Sequence, residues 1–338
     1  MPRRHIGERT AGTRVTGTRA SNIAAIDCGT NSTRLLVADG HGSTLSRELR
    51  LTRLGEGVDA THTLAAAAIE RTVAVLRAYR KQMDEFGVAA ARVVATSAVR
   101  DASNGRDFLD RATEATRTPV ELLSGTQEGR LAYSGAVSDL DDGAGPFVVL
   151  DIGGGSTELT AVPAGEHDPR VVSLDLGCIR LTERYLHHDP PLPTEVDEAT
   201  RAVGQALDRA VRALPLLDDE LQAATLVGLA GTVTTISMLA HGWTAYDWGL
   251  VHHSELDLAA VEAWTGTLAG ETVAARAARP GMVDGREDVI VGGVLVMREV
   301  MRRFGFTRCV VSESDILDGL VASIALPAAD GAPPVTGQ

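Results

Sequence analysis

The hydrophobic pattern predicts strands and helices in alternation along most of the chain. The apolar runs "NIAAID" (22–27) and "TRLLVAD" (33–39) are typical of buried strands, with Gly29 and Asn31 in the turn between them. Residues 64–86 differ, because their apolar positions recur at helical spacing and predict an amphipathic helix. That apolar stripe consists of Ile69, Val73, Leu76 and Met83.

The same criteria predict the remaining elements. Further strands are expected at 91–97, 119–124, 147–162 (two strands around a glycine turn), 224–231 and 307–312. Further helices are expected at 105–116, 125–140, 194–214, 232–240, 287–303 and 313–325, the last capped by Ser312. Each half of the chain thus begins with a glycine-turned hairpin and continues with mixed strands and helices. This predicts a duplicated α/β architecture of two domains, 21–142 and 143–326.

The two hairpins share a sequence pattern. Residues 27–35 read "DCGTNSTRL" and residues 151–159 read "DIGGGSTEL", and both fit D-x-G-x-x-S-T-x-L. The repeat is not the dinucleotide-binding motif G-x-G-x-x-G, because that motif begins a helix, whereas a strand follows here. It is not a Walker A loop either, because it lacks the sequence G-K-[ST]. We therefore interpret the repeat as two copies of one phosphate-binding turn that face a single cleft.

The chemistry of this turn indicates a divalent cation. Glycines let backbone N–H groups point toward a ligand, and Ser and Thr add hydroxyl donors. The Asp at the strand end places a carboxylate beside that anion-binding turn. The carboxylate and a bound phosphate would repel each other unless a cation lies between them. The sequence therefore predicts Mg²⁺, with Mn²⁺ as a substitute.

Composition excludes several classes of protein. A net charge of −13 with 4% aromatic residues is a poor match for a nucleic-acid-binding protein. No apolar run reaches the roughly 18 residues that a membrane helix needs. The three cysteines, at 28, 178 and 309, form no metal or disulfide motif, which fits a cytoplasmic protein.

Both ends of the chain are expected to be disordered. Residues 1–20 contain five arginines without an apolar signal core, and residues 327–338 are rich in Pro, Ala and Gly. The basic arm is either an unstructured start or a segment that binds a polyanion.

Several stretches together resemble the Ppx/GppA family of exopolyphosphatases and guanosine pentaphosphate phosphohydrolases. They include "AIDCGTNSTRLLV", "ATSAVRDA", "LSGTQEGRLAYSGAV", "LDIGGGSTEL", "GLAGTVTTI" and "GREDVIVGGVLVM", within residues 22–325. The resemblance implies the actin-like ATPase fold and Mg²⁺-dependent hydrolysis of a terminal phosphoanhydride. It is also compatible with a homodimer.

The resemblance implies a role for individual residues. In the family motif the catalytic glutamate corresponds to Glu128, while Gln127 replaces a preceding Glu. Metal-side carboxylates would be Asp151, assisted by Glu158, and Asp27 unless it is only a buried hydrogen-bond acceptor. Phosphate-binding positions would be Gly29, Thr30, Asn31, Ser32, Arg100, Gly153, Gly154, Gly155, Ser156, Gly231 and Thr232.

Other residues keep two interpretations. Arg34 either contacts substrate phosphate or pairs with a carboxylate across the cleft, and Arg53 is a weaker phosphate-clamp candidate. Cys178 is expected to be a packed residue, and the pairs His187–His188 and His252–His253 are expected to be loop residues. The cluster of Trp243, Tyr246 and Trp248 is either a hydrophobic plug, which we favour, or a stacking platform for a base.

We expect an exopolyphosphatase that releases orthophosphate from inorganic polyphosphate. The alternative is a phosphohydrolase of guanosine pentaphosphate or a nucleoside triphosphate, because both substrates present a terminal phosphoanhydride. A small-molecule kinase of the same fold and a non-catalytic phosphate sensor are weaker alternatives. The missing C-terminal helical domains of longer family members indicate a preference for short polyphosphate.

Overall fold

The architecture was analysed in a computed structural model that describes residues 21–141, 145–163, 166–213 and 224–325. The predicted disordered arm (1–20) and tail (327–338) lie outside the described residues. The remaining predictions can be compared with the structure element by element.

The first half forms a five-stranded sheet. Its strands are β1 (Ile23–Cys28), β2 (Ser32–Ala38), β3 (Thr44–Leu51), β4 (Ala90–Ala95) and β5 (Val120–Leu122), in the order β3-β2-β1-β4-β5. All six residues of β1 are buried, as expected for a central strand covered on both faces. The helices are α1 (Val58–Thr61), α2 (Ala66–Glu85), α3 (Ser97–Arg100), α4 (Gly105–Thr116) and α5 (Gly125–Ala136).

The second half repeats this plan with one more strand. Its strands are β6 (Phe147–Ile152), β7 (Thr157–Ala161), β8 (Arg170–Leu174), β9 (Thr225–Leu229), β10 (Glu255–Asp257) and β11 (Arg308–Val311), in the order β10-β11-β9-β6-β7-β8. Its helices are α6 (Cys178–Tyr185), α7 (Pro193–Ala213), α8 (Ala230–His241), α9 (Trp248–Val251), α10 (Leu258–Ala269), α11 (Val273–Ala277), α12 (Ile290–Phe304) and α13 (Ile316–Ala325). The duplicated α/β architecture is therefore confirmed.

The two hairpins match in strand register as well as in sequence. Asp27 pairs with Arg34 across β1 and β2, and Asp151 pairs with Glu158 across β6 and β7. In each turn the first glycine donates its N–H to the carbonyl of the serine, over 3.0 Å for Gly29 and Ser32 and again 3.0 Å for Gly153 and Ser156. The predicted repeat is therefore a repeat of backbone conformation.

The last helix of each half packs on the sheet of the other half. α5 contacts β6, β7 and β8, whereas α13 contacts β1, β2 and β4, and the two helices cross each other. A Cβ on Gly135 would lie 1.9 Å from the carbonyl oxygen of Asp315, and one on Gly319 would lie 2.1 Å from that of Leu131. Only glycine allows these backbones to approach so closely, so the crossing ties the halves together. The domain boundary predicted between residues 142 and 143 stays a prediction.

The ends of helices and the edge strands of the sheets were predicted less well than the centres of helices and the central strands. α13 begins at Ile316 and not at 313, and Asp315 rather than Ser312 accepts the first-turn N–H, from Leu317 at 2.9 Å. The hydroxyl of Ser312 donates to the carbonyl of Ser314 instead. The sequence analysis also left out the edge strands β3, β8 and β10, because edge strands with exposed residues lack a continuous apolar run.

Candidate active site

A cavity of about 520 Å³ lies between the two sheets, at the carboxyl ends of β1 and β6. Both hairpin turns contribute to its wall, together with the N-terminal end of α8 and the segment that precedes α13. Ligands of open α/β sheets bind at the carboxyl ends of the strands, so the position of the cavity agrees with the predicted cleft.

The two turns touch each other at the base of this cavity. A Cβ on Gly154 would lie 3.0 Å from Cβ of Thr30, and one on Gly155 would lie 2.7 Å from Oγ of Ser97. Thr30 is itself held by a 2.9 Å hydrogen bond between its hydroxyl and that of Ser97. The glycines of the second turn therefore leave room for a side chain of the first turn, in addition to exposing N–H groups.

Most of the predicted site residues line the cavity. These are Asp27, Gly29, Thr30, Asn31, Ser32, Glu128, Asp151, Gly153, Gly154, Ser156 and Gly231. Four others are not among the residues that line the cavity: Arg100, Gly155, Glu158 and Thr232. Thr232 is buried and packs against Gly293, where a Cβ would lie 2.2 Å from the threonine hydroxyl. Its phosphate-binding role remains a prediction without direct geometric support.

Four carboxyl groups lie close together at the cavity and concentrate negative charge there. They belong to Asp27, Glu128, Asp151 and Glu158. Burial raises the pKa of Asp151 to about 6, and burial together with the charge of Asp151 raises the pKa of Glu158 to about 8. The pKa of Glu128 is raised well above its usual range by burial and then by the charges of Glu158, Asp27 and Asp151. Like charges in a low-dielectric site disfavour ionisation, so a cation bound here would stabilise the ionised carboxylates.

Two oxygen atoms in this group lack a hydrogen-bond partner in the part of the chain that the structure describes. Oδ1 of Asp27 and Oε2 of Glu128 are buried and accept no hydrogen bond from the described residues. An unsatisfied buried carboxylate oxygen is unfavourable in the free protein, and hard oxygen donors are what Mg²⁺ prefers. The donor set therefore fits Mg²⁺ or Mn²⁺, with phosphate oxygens and water to complete the coordination.

Glu128 lies in the first turn of α5, and the local sequence explains why it is available. Ser124 and Gln127 form a capping box, with the Gln127 N–H donating to Oγ of Ser124 at 3.3 Å and the Ser124 N–H to Oε1 of Gln127 at 2.9 Å. The replacement of the family's first Glu by Gln127 therefore keeps the cap, and Glu128 is left free to point into the cavity.

Arg100 stands beside Glu128. Its Nη1 atom lies 3.7 Å from Oε2 of Glu128 and donates to the carbonyl of Leu123 at 2.8 Å. This position lets the guanidinium hold the orientation of Glu128. Its predicted contact with substrate phosphate stays a prediction.

Arg34 pairs with carboxylates in the free protein. Of its two interpretations, contact with substrate phosphate or pairing with a carboxylate, the second is therefore the one observed. Its Nη2 atom lies 2.6 Å from Oδ2 of Asp27, and its Nη1 atom forms an ion pair with Asp315. Asp315 also lies 3.6 Å from Arg47. Sequence reasoning missed Asp315 because it began the last helix at 313, whereas the helix begins at Ile316 and Asp315 directly precedes it.

Arg286 is a second residue that sequence reasoning missed. It is only 8% exposed and forms no ion pair with a described Asp or Glu. Its guanidinium covers Gly231 at the start of α8, where a Cβ would lie 2.2 Å from Nη2. A buried cation at a helix N-terminus favours an anion. The signal in the sequence was the stretch "GREDVIVGG", which carries this arginine.

The aromatic cluster divides into two parts. Trp243 packs against the second-half core and stacks on His241 at 4.3 Å, as a plug would. Tyr246 and Trp248 are 51% and 48% exposed and line the cavity. The favoured plug interpretation is therefore wrong for these two residues, because they lie at the cavity mouth. Cys178 is fully buried as expected.

His252 and His253 lie near Asp139, and these are the three side chains of the described residues whose ligand atoms could gather around one metal ion. However, Nδ1 of His252 accepts the N–H of Glu313 at 3.0 Å, so the ring proton belongs on Nε2, which donates to Asp139 at 2.9 Å. A metal ligand would need Nε2 unprotonated and its other nitrogen donating. The group is therefore a hydrogen-bonded cluster, in agreement with the interpretation of these histidines as loop residues. His188 pairs with Glu195 elsewhere on the surface.

The fold and the site define a class of protein. Two sheets of related topology, paired phosphate-type turns and an acidic cleft between them are the features of an actin-like ATPase fold adapted to phosphoryl chemistry. The chain belongs to the Ppx/GppA phosphatase family, whose model matches residues 36–327.

Individual relatives agree with this assignment. The chain is 44% identical to exopolyphosphatase 2 of Mycobacterium tuberculosis, over 90% of this chain and 99% of the relative. It is similar to the crystal structure of an exopolyphosphatase-like protein, with a TM-score of 0.84 and 35% identity over 90% and 98% of the two chains. It is also similar to the Aquifex aeolicus PPX-GPPA enzyme, with a TM-score of 0.74 and 32% identity over 90% and 99%. Within the described ranges, none of the helices has the length and apolar character needed to cross a bilayer.

Proposed function

We propose that the protein is a cytoplasmic exopolyphosphatase that releases terminal orthophosphate from inorganic polyphosphate with Mg²⁺. The observation that carries the proposal is the pair of glycine turns on one cavity that also holds Glu128, whose Oε2 atom accepts no hydrogen bond from the described residues. Membership of the Ppx/GppA family and similarity to a protein named exopolyphosphatase 2 support it.

The catalytic step we propose is attack of water on the terminal phosphorus atom. Glu128 accepts a proton from that water, and the displaced phosphate oxygen leaves with the shortened chain. Bound Mg²⁺ would supply charge neutralisation. Asp151 and Asp27 would hold it, with Glu158 behind Asp151.

The remaining residues position the chain of phosphates. Backbone N–H groups of the two turns, at 29–32 and 153–156, would bind neighbouring phosphates from both sides of the cavity. Arg286 and the start of α8 would bind a further phosphate, because a buried guanidinium gains most from a charge-assisted hydrogen bond.

A second candidate is a nucleotide phosphohydrolase that acts on guanosine pentaphosphate or a nucleoside triphosphate. The observation that favours it is the exposure of Tyr246 and Trp248 at the cavity mouth. Trp248 is already held on one face by His252, with ring centroids 4.2 Å apart, and a base could stack on a pre-ordered ring.

The test is phosphate release from the purified protein with Mg²⁺, using short polyphosphate, long polyphosphate, ATP and guanosine pentaphosphate. Glu128→Gln should lower the rate by at least roughly 10², the scale of a lost general base. Glu121→Gln is the matched control, because Glu121 is an exposed glutamate on the nearby strand β5 and pairs with Arg92 of β4. Turnover of the guanosine nucleotide alone would replace our proposal by the second candidate. Binding without turnover would leave a phosphate sensor or a kinase.

A further inference from the structure

The start of α6 holds the second phosphate-binding turn by backbone hydrogen bonds. The N–H of Cys178 donates to the carbonyl of Gly153 at 2.9 Å. The carbonyl of Gly154 accepts the N–H groups of Ile179 and Arg180, at 3.0 and 3.2 Å. The first N–H groups of a helix have no partner within that helix, so the carbonyls of the turn cap α6. The turn and the helix are therefore connected as one unit.

The same helix turns one face toward the first half of the chain. Arg180, Glu183 and Arg184 are three and four positions apart, so their side chains share this face. Oε1 of Glu183 accepts the N–H of Gly57 at 3.0 Å. Arg184 donates to both carboxylate oxygens of Asp59, at 2.5 and 2.6 Å. α6 therefore connects the second turn to the start of α1 in the first half.

Arg180 is the buried charge of this contact, because its side chain is only 9% exposed. Its Nε atom lies 3.4 Å from Oδ1 of Asp59, and its Nη2 atom forms an ion pair with Asp101. Both partners belong to the first half, Asp59 to α1 and Asp101 to the position directly after α3. A guanidinium presents several N–H groups in fixed directions, so one side chain ties α6 to two separate segments of the first half.

A continuous chain of hydrogen bonds runs from the first turn to the second turn through Arg180. The hydroxyl of Thr30 is bonded to that of Ser97 at 2.9 Å, and the carbonyl of Ser97 accepts the N–H of Asp101 at 2.9 Å. The carboxylate of Asp101 accepts a hydrogen bond from Nη2 of Arg180, whose backbone N–H donates to Gly154. Of these links, the pair of Asp101 and Arg180 is the one that crosses from the first half to the second half.

We propose that Arg180 is a positioning residue that fixes the spacing between the two phosphate-binding turns. This inference rests on the proposed function, in which the turns bind neighbouring phosphates of one substrate. Arg180 is not among the residues that line the cavity, so it acts on the reaction through the turns and not by contact with substrate. A displacement of about 1 Å at a reacting centre can lower a rate by about 100-fold, and the rate therefore depends on this spacing.

The experiment compares the binding of tripolyphosphate and of orthophosphate by calorimetry at one Mg²⁺ concentration, in the Glu128→Gln background where turnover is slow. Tripolyphosphate can contact both turns at once, whereas orthophosphate can occupy only one. Arg180→Met keeps the length of the side chain and removes its charge. It should weaken tripolyphosphate binding by about 10-fold and orthophosphate binding by less than about twofold, because a loose spacing lowers the effective concentration of the second turn.

Two further measurements separate positioning from a general loss of structure. In the otherwise wild-type enzyme, Arg180→Met should lower kcat for tripolyphosphate by about 10-fold to 100-fold. Arg180→Lys should restore part of both losses, because a lysine can pair with Asp59 or with Asp101 but does not reproduce the fork that reaches both.

The matched control is Arg298→Met. The Arg298 side chain is also largely buried, at 14% exposure, but it pairs with Glu299 of its own helix in the second half. This variant should leave the ratio of the two affinities unchanged. Asp101→Asn breaks the same link from the first half, and it decides the question if Arg180→Met does not fold. It should shift the ratio in the same direction, with little further effect when both changes are combined.

An unchanged ratio in the variants of Arg180 and Asp101 would overturn the positioning role, and so would an equal loss of affinity for both phosphates. If the wild-type protein binds tripolyphosphate but releases no phosphate, the exopolyphosphatase proposal fails and the ratio still tests Arg180. If it binds neither phosphate, hydrogen exchange of residues 153–156 is the deciding measurement. Faster exchange in Arg180→Met and Asp101→Asn than in Arg298→Met would support the role of Arg180, and equal exchange would overturn it.

Discussion

The two hairpin turns share a backbone, yet they differ in the residue that faces the strand-end carboxylate. Asp27 is paired in register with Arg34, whereas Asp151 is paired with Glu158. The first carboxylate is therefore partly neutralised by protein, and the second one is placed beside another acid. Duplication has produced one turn whose carboxylate has a basic partner at one of its oxygens and one turn whose carboxylate faces another acid.

The turns also differ in shape. Thr30 and Asn31 of the first turn correspond to Gly154 and Gly155 of the second turn. The side chain of Thr30 fills the space that the glycines leave open. The pair of turns is thus complementary rather than symmetric, and the three predictions below test this asymmetry.

The largest expected effect comes from removing each carboxylate charge in turn. Asp151→Asn should lower the Mg²⁺-dependent rate by more than roughly 100-fold, because it removes a proposed metal ligand that forms no ion pair with any described basic residue. Asp27→Asn should cost less, about 10-fold, because Arg34 already balances that charge. Rates measured as a function of Mg²⁺ concentration check this. Equal losses in two folded variants would contradict the asymmetry.

A smaller effect is expected in the pH dependence of stability without divalent cation. The pKa of Glu158 rises on folding from 4.5 to about 8. Between these values the folded protein holds a proton that the unfolded chain has released. Stability should therefore fall as pH rises through this window, by up to about 1.4 kcal/mol per pH unit.

Denaturant midpoints in EDTA from about pH 5 to pH 8 measure this slope. Glu158→Gln should flatten it, and Mg²⁺ should stabilise the wild-type protein more at the upper end of the range. Stability that rises with pH in EDTA would show that the carboxyl groups of the second turn are not strained in the free protein.

The smallest effect concerns the contact between the turns. Gly154→Ala should destabilise the protein by about 1 kcal/mol, because the new methyl group meets Thr30 at 3.0 Å. Thr30→Gly should relieve that clash, so the double variant should lose less stability than the sum of the single variants. Additive losses in chemical denaturation would place the cost elsewhere, for example at Ile179, which lies 3.1 Å from the same methyl position.

Much of this asymmetry was visible in the sequence. The pattern at 27–35 and 151–159 predicted two hairpins in the same register, because strand periodicity and glycine turns are local properties. The capping box of Ser124 and Gln127 is a local property as well, because it depends on residues three positions apart, and it leaves Glu128 without a capping role. The family resemblance then assigned a role to Glu128 that its local sequence alone could not.

The sequence by itself determined the strand centres, the two turns and the class of fold, since these follow from side-chain periodicity within a few residues. Only the tertiary structure decided which charges meet. Arg34 reaches Asp315 across 281 positions of the chain, and Arg53 reaches Asp288 across 235. Such contacts depend on how the two sheets and the crossed helices α5 and α13 pack, and no local pattern records that packing. Arg286 is another example. The stretch "GREDVIVGG" shows that an arginine is present, but only the fold places its guanidinium on Gly231 at the cavity wall.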